Sequence, residues 1–358
     1  MQNVKTPRFY VDYLSFLNSN GGLSYDESQS DALGLNMFPF YRTTPTMAGA
    51  YPDFVFESAV NFGALLPNAT GSNKIWVGIF GHNLKTENLK VKCYFNNTGA
   101  PTTKASITEV LNGEVSGDYA VPYMDGSTMF TISSPNTDLN EATHFCISFD
   151  DVGSTATVDT LRVGAIAMGV IWDAPHSPDM SLKLARLYDG VKIQQSIGGS
   201  KFATASYIRP NQAFEFGSPP YKNTRTGKRV WDMKFSYIGS SHLMADNELV
   251  SYGADLNGDG AIEANTDGTS PDYIHTTDSD GNNVLTSLDD YDFDSTPDFY
   301  SRVVHRTMGG MLPFIFQPDN SNNSPDQFAI ARFNQNAFVY NQVAHNVYDV
   351  SLNIEEEC

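Results

Sequence analysis

The chain has 358 residues, 41% hydrophobic and 18% charged, a globular composition whose length fits two domains best. Its 22 Lys and Arg stand against 41 Asp and Glu, for a formal charge of −19. That balance repels nucleic-acid phosphate and anionic lipid and argues against partners of either class, while favouring divalent cations as counter-ligands. Three cysteines, Cys93, Cys146 and Cys358, give no disulfide framework, and Cys93 and Cys146 lie in apolar alternating runs as small hydrophobes.

The first ten residues lack the apolar core of a signal peptide. No stretch has the length of a membrane span. The expectation is a protein made and assembled in a cytoplasm. Aromatics make up 12% of the chain, nearly all Phe and Tyr, and together with many Gly, Asn, Ser and Thr they favour strands and turns over helices.

Residues 1–50 read as an arm or partial domain. Phe9, Tyr10, Val11, Tyr13, Leu14, Phe16 and Leu17 form an aromatic patch there, fitted either to dock on a neighbour or to cover its own domain. Residues 51–172 carry repeated strand signals. Ile75-Trp-Val-Gly-Ile-Phe80 is an apolar run ended by Gly81-His-Asn83. Leu89, Val91, Cys93 and Phe95 alternate with polar neighbours, as do Phe145, Ile147 and Phe149, and Leu161 to Trp172 suits a central strand. Short strands with turns between them predict a β-sandwich.

Residues 173–190, Pro-rich at their start, read as a connector, with Trp172, His176 and Asp179 clustered beside it. Residues 191–358 read as a second antiparallel β domain. Trp231, Met233, Phe235 and Tyr237 alternate in one strand, and Tyr348, Val350, Leu352 and Ile354 in another. An insertion at about 239–298 separates them, with no Lys or Arg between Lys234 and Arg302. A short helix fits residues 236–250. The fold class expected is therefore all-β.

The run Ile75-Trp-Val-Gly-Ile-Phe-Gly-His-Asn-Leu84 resembles the strand and turn of galactose-binding-like, or discoidin-like, jelly-roll domains of phage virion proteins. Leu161-Arg-Val-Gly-Ala-Ile-Ala-Met-Gly169 resembles that domain's closing strand. Lys5-Thr-Pro-Arg-Phe-Tyr-Val-Asp-Tyr13 resembles phage tail proteins, particularly of marine phages. So do Tyr188-Asp-Gly-Val-Lys-Ile193 with Ser196-Ile-Gly-Gly199, and Gly309 to Asp319 with the ending Ile354-Glu-Glu356. The resemblance covers most of the chain outside the Asp-rich insertion. It implies a tail or adhesion role in the virion without fixing the tail position; a distal tail, baseplate or fibre-attachment subunit is the function expected. Its partners would be further copies of itself and other virion proteins.

The sharpest chemical signal lies in the insertion. Asp255, Asn257 and Asp259 occupy positions 1, 3 and 5 of an EF-hand-type loop, and Gly260 permits the turn. Ala261 offers its carbonyl at position 7, and Glu263 falls at 9. Position 12 is Thr266, where such loops carry a bidentate Glu. A second, poorer loop places Asp278, Asp280, Asn282 and Asp289 at 1, 3, 5 and 12, with Asn283 in place of Gly. Ca²⁺ is the cofactor expected. His82 and Asn83 are candidates for contacting a glycan at the sandwich end, against a tight turn whose His is satisfied locally.

No HExxH, GxSxG, P-loop or Rossmann fingerprint occurs in a fitting context, and an enzyme is not expected. A receptor-binding, lectin-like adhesin gripping host surface glycans is the main alternative. A polysaccharide-degrading tail enzyme is weaker, since the β-helix repeats such enzymes commonly carry are not seen.

Overall fold

The computed structural model describes residues 4–19, 22–25, 53–58, 75–97, 104–132, 142–151, 163–188, 191–205, 227–244, 275–277, 283–285 and 298–357. The protein is mostly β, in large antiparallel sheets. Its strands begin with β1 (Arg8–Asp12), β2 (Leu23–Tyr25), β3 (Asp53–Ser58), β4 (Ile75–His82), β5 (Leu89–Asn96), β6 (Ile107–Leu111) and β7 (Gly113–Ser116). They continue with β8 (Tyr119–Pro122), β9 (Gly126–Ile132), β10 (His144–Asp151), β11 (Ala165–Asp173), β12 (Lys183–Leu187), β13 (Val191–Gln195) and β14 (Lys201–Ala205). The last are β15 (Lys228–Gly239), β16 (His275–Thr277), β17 (Asn283–Leu285), β18 (Phe314–Gln317), β19 (Ala329–Phe333), β20 (Tyr340–Ala344) and β21 (Val347–Glu356).

An 11-stranded sheet runs β12-β15-β21-β19-β18-β1-β11-β4-β9-β6, with β20 beside β21; a six-stranded sheet runs β2-β3-β10-β5-β8-β7. The alternation read from the sequence holds in β5, where Leu89, Val91, Cys93 and Phe95 face the core and Lys90 and Lys92 reach outward. One core takes residues from both sheets: Ile75, Val77 and Ile79 from β4, Val91 and Phe95 from β5, Phe145 and Ile147 from β10. The same core extends to Phe314, Phe333 and Ile354 near the C-terminus.

This core takes residues from the expected arm, sandwich, connector and second domain alike, among them Phe9, Ile75, Ala174 and Phe314. β1, in the supposed arm, pairs with β11 on one side and β18 on the other, with Tyr10 opposite both Ile171 and Ile315. It joins the halves of the long sheet as an interior strand. Phe9 is the hub of an aromatic cluster, with ring centroids 5.6 Å from Trp172, 5.8 Å from Phe299, 5.4 Å from Phe314 and 5.2 Å from Phe316. Each such contact adds about 0.5–1.5 kcal/mol beyond burial itself. The aromatic patch is core, and Trp172 belongs to it.

The chain turns from β1 into helix α1 (Tyr13–Ser19) at Asp12. This buried carboxylate accepts from the amides of Leu14 at 3.1 Å and Ser15 at 3.2 Å, as an N-cap does. It also accepts from the Met168 amide at 3.2 Å, fastening the cap to β11.

The opposite face of the long sheet carries a second apolar cluster that includes Tyr10, Trp76, Phe80, Ala165, Ala167 and Ile315. Two glycines there leave no room for a side chain, one beside aromatic rings and one beside the backbone of β1. A Cβ on Gly78 would meet the Phe80 and Trp76 rings at 2.6 and 2.7 Å, and one on Gly169 would sit 1.9 Å from the Val11 carbonyl oxygen. The Trp76 indole N–H donates to that same oxygen at 3.2 Å.

β15 departs from strict alternation. Its register against β21 shifts between Phe235 and Ile238, and Tyr237 takes φ 62°. Ile238 is thereby buried, and Tyr237, expected on the inner face, is exposed. The helix expected over 236–250 is a single turn, Ser240–Leu243, among the described residues.

Candidate interaction surface

Gly81 and His82 end β4 in a bulge. Gly81 has φ 65°, and the register against β9 shifts between Phe80 and His82. By plain alternation His82 would share a face with Phe80. The extra residue turns it toward Thr128, which shares the Phe130 side of β9. His82 is 3% exposed. Its Nδ1 accepts from the Leu84 amide at 3.2 Å, which leaves the proton on Nε2 to donate to the Thr128 hydroxyl at 2.9 Å. Burial pushes the His82 pKa down to about 4, opposed by the nearby Asp125 charge and a backbone bond at Ser127.

Asn83 is half-buried, and its amide donates to Glu87 Oε1 at 3.1 Å. Asp125 closes the turn from β9, accepting from the amides of Lys85 at 2.9 Å and Thr86 at 3.0 Å. The hydrogen-bonding atoms that a sugar hydroxyl would need from His82 are thus engaged within the fold. Both calcium loops, Asp255-Asn257-Asp259-Ala261-Glu263 and Asp278-Asp280-Asn282-Asp289, lie outside the described residues.

Cys93 and Cys146 are buried and free, and burial raises the Cys93 thiol pKa far from a reactive range. His176 lies with its ring 6.0 Å from Phe235, and Asp179 accepts from the Ser236 hydroxyl at 2.7 Å, so the connector is packed against β15. The stretch 309–319 contributes β18, an interior strand with all four residues buried.

A π-helix at Tyr300–His305 is held at its start by Asp298, which accepts from the Ser301 amide at 2.8 Å. The Arg306 guanidinium, buried just after it, sits 4.8 Å from the Tyr13 ring centroid and 4.6 Å from that of Phe16. These cation–π contacts join α1 to the π-helix. Burial lowers the pKa of neighbouring Arg302.

The most exposed apolar side chains lie elsewhere. β13 and β14 form a two-stranded sheet of their own, every described side chain of which is exposed. Ser196 shapes its tip: the Ser196 amide donates to the Ser200 carbonyl at 2.9 Å, and its hydroxyl accepts from the Ser200 amide at 3.1 Å. Gly199 supplies the φ of 86° that the turn requires. Ile193 is 67% exposed, Phe202 62%, and Ile197 at the tip is fully exposed. Adjacent β12, the edge strand of the long sheet, exposes Leu184 and Leu187. A lone hairpin is marginal in water, and clustered exposed apolar groups mark a contact surface.

Sequence reading placed tail-protein resemblance on residues 188–199 but did not anticipate that the side chains of β13 are all exposed. The available signal was local charge. Residues 183–229 hold nine Lys and Arg and two Asp and Glu, in a chain of net −19.

Comparison with protein-family models, with curated proteins and with solved structures finds no match.

Proposed function

We propose that the chain is a structural subunit of a bacteriophage virion, in the tail, that works by assembly rather than catalysis. The observation that carries this reading is the projecting β13–β14 hairpin, which offers Ile193, Ile197 and Phe202 to a partner while the two large sheets bury their own apolar faces. The resemblance of residues 5–13, 188–199 and 309–319 to tail proteins gives the assembly its class. A galactose-binding-like jelly roll for residues 51–172 is part of the same proposal, supported by the two antiparallel sheets that share a core there. Bound Ca²⁺ in the Asp-rich insertion would relieve repulsion among its carboxylates.

The test is electron microscopy of assembled particles with this chain located in them. Subunits arranged as a ring or collar on the tail, with the hairpin seated on a neighbour, are expected. A sandwich projecting outward with an open cleft would move host-glycan binding to the front, and glycan arrays would follow. Absence of the chain from particles would refute the proposal.

A further inference from the structure

We propose that the hairpin arm docks on the acidic body of a second copy of this chain. The inference rests on the arm being a docking surface and names its occupant. Two properties of the arm have to be matched by a partner. It is apolar, through Val191, Ile193 and Phe202, and it is basic, through Lys192 and Lys201.

Cross-strand pairing sets Val191 and Ile193 on one face with Ala203 and Lys201, and Phe202 on the other with Lys192. Each face therefore combines apolar area with one ammonium group. Among the described residues neither lysine has an ion-pair partner, whereas the lysine at the start of β12, Lys183, pairs with Asp232 at 3.7 Å. Both ammonium groups are exposed.

The rest of the same chain is the complementary surface. Outside residues 183–229 it carries 13 Lys and Arg against 39 Asp and Glu. Nucleic acid or an anionic membrane would also attract the arm, but each would be repelled by the body to which the arm is attached. A second copy instead brings an acidic body to each basic arm. The contact is heterologous, arm on body, so it propagates around a ring or along a stack.

The experiment measures self-association of the full chain by sedimentation at about 0.1 M salt. There the screening length of about 10 Å mutes net repulsion between copies but spares contact pairs. Three double variants are compared with the parent. K192E/K201E reverses the arm charges, I193S/F202S removes its apolar groups, and K85E/K104E makes the same change in net charge away from the arm. All four sites of the arm variants are exposed, so unchanged circular dichroism and melting are expected.

Concentration-dependent association of the parent is expected, weakened about tenfold or more in both arm variants and little changed in K85E/K104E. Labelled K192E/K201E should still bind the parent, whose arms are intact, while failing to bind itself. A parent that stays monomeric up to high concentration overturns the proposal. So does equal weakening by K85E/K104E, or loss of binding to a DNA duplex or phosphatidylserine vesicle with self-association intact. If the arm variants are excluded from particles although the purified chain never self-associates, the assembly reading survives and homotypic docking falls.

Discussion

His82 makes the stability of this protein depend on pH in a calculable way. Its folded-state pKa is pushed down to about 4 by burial, from an ordinary value of 6.5. Above pH 6.5 the ring is neutral in both states and its contribution to stability is fully present. Between pH 6.5 and 4 the unfolded chain takes up a proton that the folded chain excludes. Stability then falls by about 1.4 kcal/mol for each unit, or roughly 3 kcal/mol in all. Below pH 4 this group adds no further loss. His82→Gln abolishes the titration. It also disturbs the bonds to Leu84 and Thr128, so it lowers stability at pH 7.5 by about 1–3 kcal/mol. The assay is urea unfolding followed by tryptophan fluorescence at pH 7.5, 6, 5 and 4.5. Groups away from His82, including partly buried His305 with its own lowered pKa, contribute equally to parent and variant and cancel in the difference. The difference between the two proteins should therefore shift by roughly 3 kcal/mol in the variant's favour by about pH 4.5, closing or reversing the gap. A gap constant across the range would show that His82 is solvated in the folded protein and would refute the burial argument.

Gly169→Ala places a methyl group 1.9 Å from the Val11 carbonyl, so β1 has to move; denaturant titration should show a loss of about 3 kcal/mol or more. Gly117→Ala, at φ 62° with nothing within 4 Å, is the control and should cost only about 1–2 kcal/mol. Arg229 holds Glu356 through two bonds of 3.0 and 2.8 Å and the carbonyls of Asp326 and Phe328 at 2.7 Å each. Arg229→Lys cannot reproduce that fork and should lower stability by about 2 kcal/mol in the same titration. Adding Ca²⁺ after chelation should raise the melting temperature, by about 2.7 kcal/mol in stability at a hundredfold excess over Kd; an unchanged melting curve would remove calcium from the account.

Strands with one wet face were legible from sequence. Leu89, Val91, Cys93 and Phe95 announce β5, and Val350, Leu352 and Ile354 announce β21, because their intervening residues meet water. The role of β1 was hidden by the same logic. Phe9, Tyr10 and Val11 are buried in succession, a strand enclosed on both faces shows no alternation, and its partners lie about 160 and 300 residues away. The bulges at Gly81 and Tyr237 shift the face of the next residue, which period-two reading cannot anticipate. Gly81-His-Asn83 did mark the turn, and its local alternative, a histidine satisfied within the fold, matches the bonds His82 makes. The arm was hidden for a different reason. Val191 and Ile193 alternate as in any half-buried strand, and only the sign of the surrounding charge distinguishes them.

The position of β1 also bears on how the proposed subunit would stay usable until it assembles. Without β1 the long sheet would split between β11 and β18. The exposed edges would be Ala165–Asp173 and Phe314–Gln317, both strongly apolar, with Asp173 at the end of the first their one charge. Edges of that kind pair indiscriminately. β1 occupies both at once, and Asp12 and the Trp76–Val11 bond hold it in register. At the far end, β12 remains an edge but carries Lys183 and Arg186, which blunt it against indiscriminate pairing. The protein thus closes its dangerous seam with its first strand and leaves its charged end open. In the proposed assembly, contact between copies is thereby directed to the arm rather than to the sheet interior.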